Sequence, residues 1–189
     1  MRTIAFTPIP PKGRIRRKLS ATAAALSVAA IAAFSSVSPT LADTLRMYAP
    51  SDPASFDPAF FGTTTDVYLM NNTMPRLQTM ALGDEWSLVN DVAESVDLSD
   101  PQNIIFKLKE GLQWANGYGE LTAEDVKYSF ERHKDPELGS YIAGEFDSLI
   151  EVELTDKYSG VIRLSEPNVS MWQLTIAWTG GVIVSKKGG

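Results

Sequence analysis

Phe106-Lys-Leu-Lys-Glu-Gly-Leu-Gln-Trp-Ala-Asn-Gly-Tyr-Gly-Glu-Leu-Thr-Ala-Glu-Asp-Val-Lys-Tyr-Ser-Phe-Glu-Arg132 is the stretch on which the fold turns. At its start, Ile104, Phe106 and Leu108 alternate with Ile105, Lys107 and Lys109, the period of a strand with one face against a core. Glu110-Gly111 turns the chain, Leu112 and Trp114 resume the alternation, and Asn116-Gly117 is a strong turn signal, so a hairpin is expected. Thr122 followed by Asp125 is the cap of a helix in which Val126 and Phe130 share a face and Lys127 and Glu131 form an exposed pair. Asp135-Pro136 stops that helix.

Upstream, Leu45 to Tyr48 is expected as a first strand, stopped by the turn residues Ala49 to Pro53. An aromatic loop, Ser55 to Gly62, comes next. Thr63 and Asp66 form a capping pair for a helix whose stripe is Val67, Met70, Met74 and Leu77, with Pro75 ending or kinking it. Leu82-Gly83-Asp84 reads as a turn and Val92 to Val96 as extended chain. Downstream, Ile150, Val152 and Leu154 face Val161 to Leu164 across Asp156 to Gly160 as a second hairpin. A short helix follows Pro167 through Met171, Trp172 and Leu174. Val182 to Val184 reads as a strand running into a loop, and the chain is expected to be a fragment.

Arg2, Lys12, Arg14, Arg16, Arg17 and Lys18 precede an apolar run from Ala21 to Phe34, the order of a secretory signal. The run is short for a membrane span, and Thr40-Leu41-Ala42 puts small residues at minus three and minus one, so cleavage before Asp43 is expected. The Arg16-Arg17 pair fits twin-arginine export poorly in its flanks. Residues 1–42 hold six of the 17 basic residues and none of the 23 acidic ones, leaving 11 basic against 23 acidic, a net charge of -12. Such a surface argues against nucleic acid as a partner, because phosphate contacts need a basic face. With no Cys in the chain, disulfides, thiolate metal sites and cysteine nucleophiles are excluded. The 147 residues after the signal are enough to bury a core.

The residues offer little for catalysis. The single histidine, His133, sits at the end of the second predicted helix, where a structural cation is favoured by the dipole. A triad would need it as base, yet no Gly-x-Ser-x-Gly elbow is present. A lone His with scattered carboxylates gives no metal-ligand spacing, and Gly180-Gly181 is not followed by the Gly-Lys-Ser or Gly-Lys-Thr of a phosphate loop. Glu124-Asp125 is explained by its helix start. No enzyme activity, cofactor or metal is expected.

The stretch from Phe106 to Arg132 closely resembles the signature of the peptide and nickel class, family 5, of the extracellular solute-binding proteins of bacterial ABC importers. The similarity extends through Asp57-Pro58, Ala93-Glu94-Ser95 and Val182 to Ser185. Departures occur at Asn90 to Val96, where the family often has Pro-x-Leu-Ala-Glu-Ser-Trp, at Trp114, where Phe is common, and at Tyr118-Gly119. The resemblance implies an α/β, type II periplasmic-binding-protein-like fold, two-lobed when complete. Residues 43–189 would then supply part of the first lobe and its extra subdomain, the second lobe lying beyond Gly189. It further implies a periplasmic, monomeric binding protein that takes peptides or similar solutes to a membrane permease. By similarity to the family, Phe61, Asp66, Tyr141 and Trp178 fall at or near solute-facing positions. Against these stand ordinary roles: Asp66 as helix cap, and the three aromatic residues as core. An exported hydrolase with catalytic residues beyond Gly189, and a solute-sensing or chaperone-like module, are the alternatives.

Overall fold

The computed structural model of the protein describes residues 48–81, 83 and 86–188. The expected signal, its cleavage point and Leu45–Met47 of the expected first strand lie outside these residues; Tyr48 is exposed and irregular. Strand β1 (Gln78–Met80) pairs with β2 (Leu88–Asn90), and β3 (Ala93–Asp97), β4 (Asn103–Leu108), β5 (Leu149–Leu154) and β6 (Ser159–Leu164) form a second sheet of order β3-β4-β6-β5. Every pairing is antiparallel. Among the described residues, two α-helices, α1 (Thr64–Thr73) and α2 (Ala123–Glu131), complete the frame.

The period-two reading of β4 holds: Ile104, Phe106 and Leu108 are buried and Ile105 is half exposed. Ile162 and Leu164 of β6, Leu149 and Val152 of β5, and Val126 and Phe130 of α2 close the same core. Opposite Phe106 stands Gly160, and a Cβ there would lie 2.8 Å from the Phe106 ring and 2.7 Å from the Glu153 carbonyl oxygen. The glycine is therefore required by close packing of ring on backbone. Helix α2 has the expected cap, with the Thr122 N–H donating to Asp125 Oδ2 at 2.9 Å, and the Lys127–Glu131 pair spans 2.7 Å.

Four expectations are corrected. The turn at Asn116-Gly117 is present, with both residues at positive φ and Gln113 bridged antiparallel to Glu120, but the hairpin does not pair with β4, which already has β3 on one side and β6 on the other. Instead, residues 112–121 fold back on themselves, with Leu121 N donating to Leu112 O and Trp114 N to Gly119 O, both at 2.8 Å. The stripe on the first helix is cut short. Met74 is already extended (φ -112°, ψ 138°), the conformation favoured before proline, so α1 buries Thr65, Asp66 and Met70, and Leu77 enters the core from beyond it.

Val182 and Ile183 are buried and Val184 is half-buried, but the segment belongs to no described sheet. Side chains and a loop carbonyl take the place of a partner strand: Ile183 N donates to Pro75 O at 2.8 Å, Val184 N to Ser129 Oγ at 2.9 Å and Lys186 N to Asp125 Oδ1 at 2.9 Å. His133 is structural, but not as an exposed helix-end cation. Its ring is fully buried, stacked on Phe146 at 4.5 Å with Nδ1 2.8 Å from Ser140 Oγ, and burial, reinforced by neighbouring Arg132, lowers its pKa to about 4.

The second hairpin, β5–β6, and the helical segment after Pro167, a wide turn over Met171–Ile176, are as expected. Met171 and Trp172 are buried there, Leu174 exposed. No described helix is long and apolar enough to cross a membrane.

Candidate functional site

The aromatic loop before α1 is organised around one carboxylate. Asp66 is fully buried, and its Oδ1 accepts from Ala54 N at 2.8 Å while its Oδ2 accepts from Gly62 N and Thr63 N, each at 2.9 Å. In return Asp66 N donates to Thr63 Oγ1 at 3.2 Å, closing the capping box expected from Thr63 and Asp66. These donors, that of Gly62 foremost, outweigh burial and hold the carboxyl far below the usual carboxylate range. Thr65 Oγ1 donates to Ser51 O at 3.0 Å, so the inner face of α1 binds the loop through polar groups.

A second carboxylate fixes the loop to the frame. Arg132, just past α2, grips Asp57 with both nitrogens, Nη1 to Oδ1 at 3.1 Å and Nη2 to Oδ2 at 2.7 Å, the fork geometry that makes such pairs specific. Tyr141 N donates to Ala59 O at 2.9 Å, and the Phe60 and Tyr141 rings meet edge to face with centroids 5.5 Å apart. The loop and the segment at residues 140–142 are thus one unit.

Trp178 arrives from a third segment. It precedes a tight turn, Thr179–Gly181, in which a Cβ on Gly181 would sit 1.6 Å from Ile176 O and one on Gly180 would sit 3.3 Å from Ile142 Cδ1. The turn therefore packs directly against the segment carrying Tyr141. Arg76, almost wholly buried, donates from Nε to Trp178 O at 2.8 Å and from Nη2 to Asn71 Oδ1. That guanidinium ties the end of α1 to the turn, and its pKa is lowered by burial against the opposing charge of Asp91.

The four residues expected at the site thus fall on adjoining segments, with different exposures. Asp66 is interior and supports the loop from behind. Phe61 is half-buried against the core, whereas Tyr141 is 71% exposed and Trp178 48% exposed. A groove of about 440 Å³ lies between Phe56, Met74, Trp114, Arg132 and Ile183, and none of the four lines it. Tyr141 and Trp178 are each exposed on adjoining segments, and together these segments form an open ledge that the described residues leave uncovered. The supports Arg76 and Arg132 carry no sequence signal, since their partners Trp178 and Asp57 are 102 and 75 residues away. Among the described residues, no three of His, Asp and Glu are grouped to hold a metal ion.

Comparison with known proteins identifies the frame. A curated Brucella ovis protein named as an ABC transporter peptide-binding protein is 34% identical over 86 residues, which cover 45% of this chain and 16% of that one. Among solved structures, MoaA of A. tumefaciens R10 in complex with mannopinic acid superposes with a TM-score of 0.66 at 31% identity, covering 73% of this chain and 29% of that one. The oligopeptide-binding protein AppA of Bacillus subtilis in complex with a nonapeptide shares the fold at 18% identity, with a TM-score of 0.62 over 69% of this chain and 25% of that one. The α/β periplasmic-binding-protein fold expected from the signature is the fold observed, and the matched part spans less than a third of these proteins. Residues 87–188, more than half of the chain, match the sequence pattern of the bacterial extracellular solute-binding proteins, family 5, and the chain belongs to that family.

Proposed function

We propose that this chain supplies part of the first lobe of a periplasmic, non-enzymatic binding protein that captures peptides or similar small solutes and hands them to an ABC permease. The observation that carries this reading is the ledge itself: two exposed aromatic side chains, Tyr141 and Trp178, on backbone segments locked to each other and to the core. Large rings kept in water on rigid supports suit recognition, because little further ordering is needed when a ligand covers them. Phe61 completes the wall from its half-buried position, and Asp66 acts through the loop it holds.

In this reading a second lobe closes over the ledge, solute binding shifts an open–closed equilibrium, and the permease reads the closed state. Residues 1–42 act as the cleaved export signal. Peptides lead as ligands because the Brucella relative is named peptide-binding and AppA holds a nonapeptide. A second reading, an acid such as mannopinic acid, draws on the higher identity to MoaA.

The test is calorimetric titration of the full-length gene product with a peptide library, mannopinic acid, nickel chelates and oligosaccharides in parallel. Saturable peptide binding that weakens on Trp178→Ala is the expected result. Binding confined to sugars or chelates overturns the peptide assignment, and binding confined to mannopinic acid replaces it with the second reading.

A further inference from the structure

Strand β5 is an edge strand, yet its outer backbone is not open. Among the described residues, the sheet order leaves β6 on one side of β5 and no strand on the other. On that free side Val152 N donates to Glu131 Oε1 at 2.8 Å, and Val152 O accepts from Lys127 Nζ at 2.8 Å. Lys134 Nζ donates to Ile150 O at 3.2 Å and to Leu149 O. The three side chains sit at 127, 131 and 134, a spacing of four and three that places them on one ridge of α2 and the turn that follows it. Rows of unpaired N–H and C=O groups are templates for another strand, and charged residues on an edge are a known means of blocking them.

We propose that Lys127, Glu131 and Lys134 form a guard that takes the hydrogen-bonding places of a neighbouring strand along β5 and so prevents a second copy of this chain from adding to the sheet there. The match is specific to main-chain chemistry. An acceptor, Glu131, meets the N–H of Val152, while donors, Lys127 and Lys134, meet carbonyls; the Lys127–Glu131 pair at 2.7 Å fixes the ridge in register. A purely solvating charged face has no reason to alternate in this way. Exposed apolar side chains at Ile150 and Leu154 are the surface that self-pairing would bury once the guard is removed. A second copy is the favoured occupant because it carries the same edge and pairs with it antiparallel about a two-fold axis.

Sedimentation velocity on the full chain tests this. The triple variant Lys127→Ala, Glu131→Ala and Lys134→Ala, with far-UV circular dichroism unchanged, is expected to self-associate at least about tenfold more tightly than the parent. Adding Ile150→Pro, which removes an N–H and sets a ring on the exposed edge, is expected to restore the parent's behaviour. A folded triple variant that sediments as the parent does overturns the proposal, as does association that Ile150→Pro leaves in place. If the triple variant loses its far-UV signal, Lys134→Ala alone decides, since that side chain is exposed: a rise of about threefold in self-association supports the guard, and none overturns it.

Discussion

The four-stranded sheet with α2 and the ledge formed by residues 51–66, 140–142 and 178–181 are held together by different physics. In the sheet, apolar side chains at alternate positions are driven from water, and Phe106, Phe130, Ile162 and Val152 reach complete burial. On the ledge the organising groups are polar and interior, Asp66 and Arg76, while the apolar groups Phe56, Tyr141 and Trp178 face outward. Burial of apolar area is cooperative and tolerant of local detail, whereas a carboxylate serving several backbone donors is a local knot. The contrast teaches that one short chain builds a frame by excluding water and then uses saturated polar clusters to hold apolar rings in water.

The largest effect should come from the frame. Phe106→Ala leaves a cavity beneath the glycine that the ring covers and is expected to cost about 3–5 kcal/mol in urea unfolding. If the loss stays below about 1 kcal/mol, the sheet is not the energetic centre and the comparison fails.

His133 tests how dry the interior is where the frame meets the loop. Its Nε2 has no hydrogen-bond partner, and its ring is packed on Phe146. With a folded pKa of about 4 against 6.5 unfolded, the unfolded chain binds the proton more readily between these values. Stability should therefore be unaffected by this group above pH 6.5 and fall as pH drops from 6.5 to 4, by about 3 kcal/mol. His133→Leu should flatten that part of the profile in thermal scans; an unchanged slope assigns the fall to other groups.

Asp66→Asn separates the knot from the frame. Asn keeps the size but loses the charge and one acceptor, so amide exchange at Ala54, Gly62 and Thr63 should quicken by on the order of tenfold, with β4 and β6 amides unaffected. The native carboxyl is held below its ordinary value, so its contribution is complete above about pH 3.8, the ordinary value of the group, and is lost progressively as pH falls below it. Acceleration spreading into β4 would show that loop and sheet unfold as one unit.

The same contrast explains what could be read from the sequence. Period-two alternation in β4, the capping pairs Thr63–Asp66 and Thr122–Asp125 and the β5–β6 hairpin are local patterns, and each stands where expected. Leu77 lies outside the helix that its spacing predicts, because Pro75 forces Met74 out of the helix one turn early. Val182–Val184 has strand composition, but its main-chain partners are the side chain of Ser129 and the carbonyl of Pro75, which no periodicity records. The pairing of β1 with β2 leaves no sequence signal, because strands of three residues have no alternation to count. At the ledge, the loop's aromatic richness was visible, but neither the grip of Arg132 on Asp57 nor that of Arg76 on Trp178 O could be, since both join distant residues.

The smallest effect on stability is expected where the effect on binding is greatest. Tyr141 gives one edge-to-face contact to Phe60, and its backbone N–H, which any residue but proline would supply, makes the tie to Ala59. Trp178 is anchored through its carbonyl, so its indole can be removed without loosening Arg76. Tyr141→Ala and Trp178→Ala should each change unfolding free energy by no more than about 0.5 kcal/mol, the range usual for exposed positions. In the full-length protein the same substitutions should weaken solute binding by on the order of tenfold or more, since truncating an aromatic anchor in a covered site costs at least ~1–2 kcal/mol. Binding that survives both substitutions while stability is unchanged would leave the rings as ordinary exposed surface, and would place the solute elsewhere on the lobe, the groove beside Trp114 and Ile183 being the next place to examine.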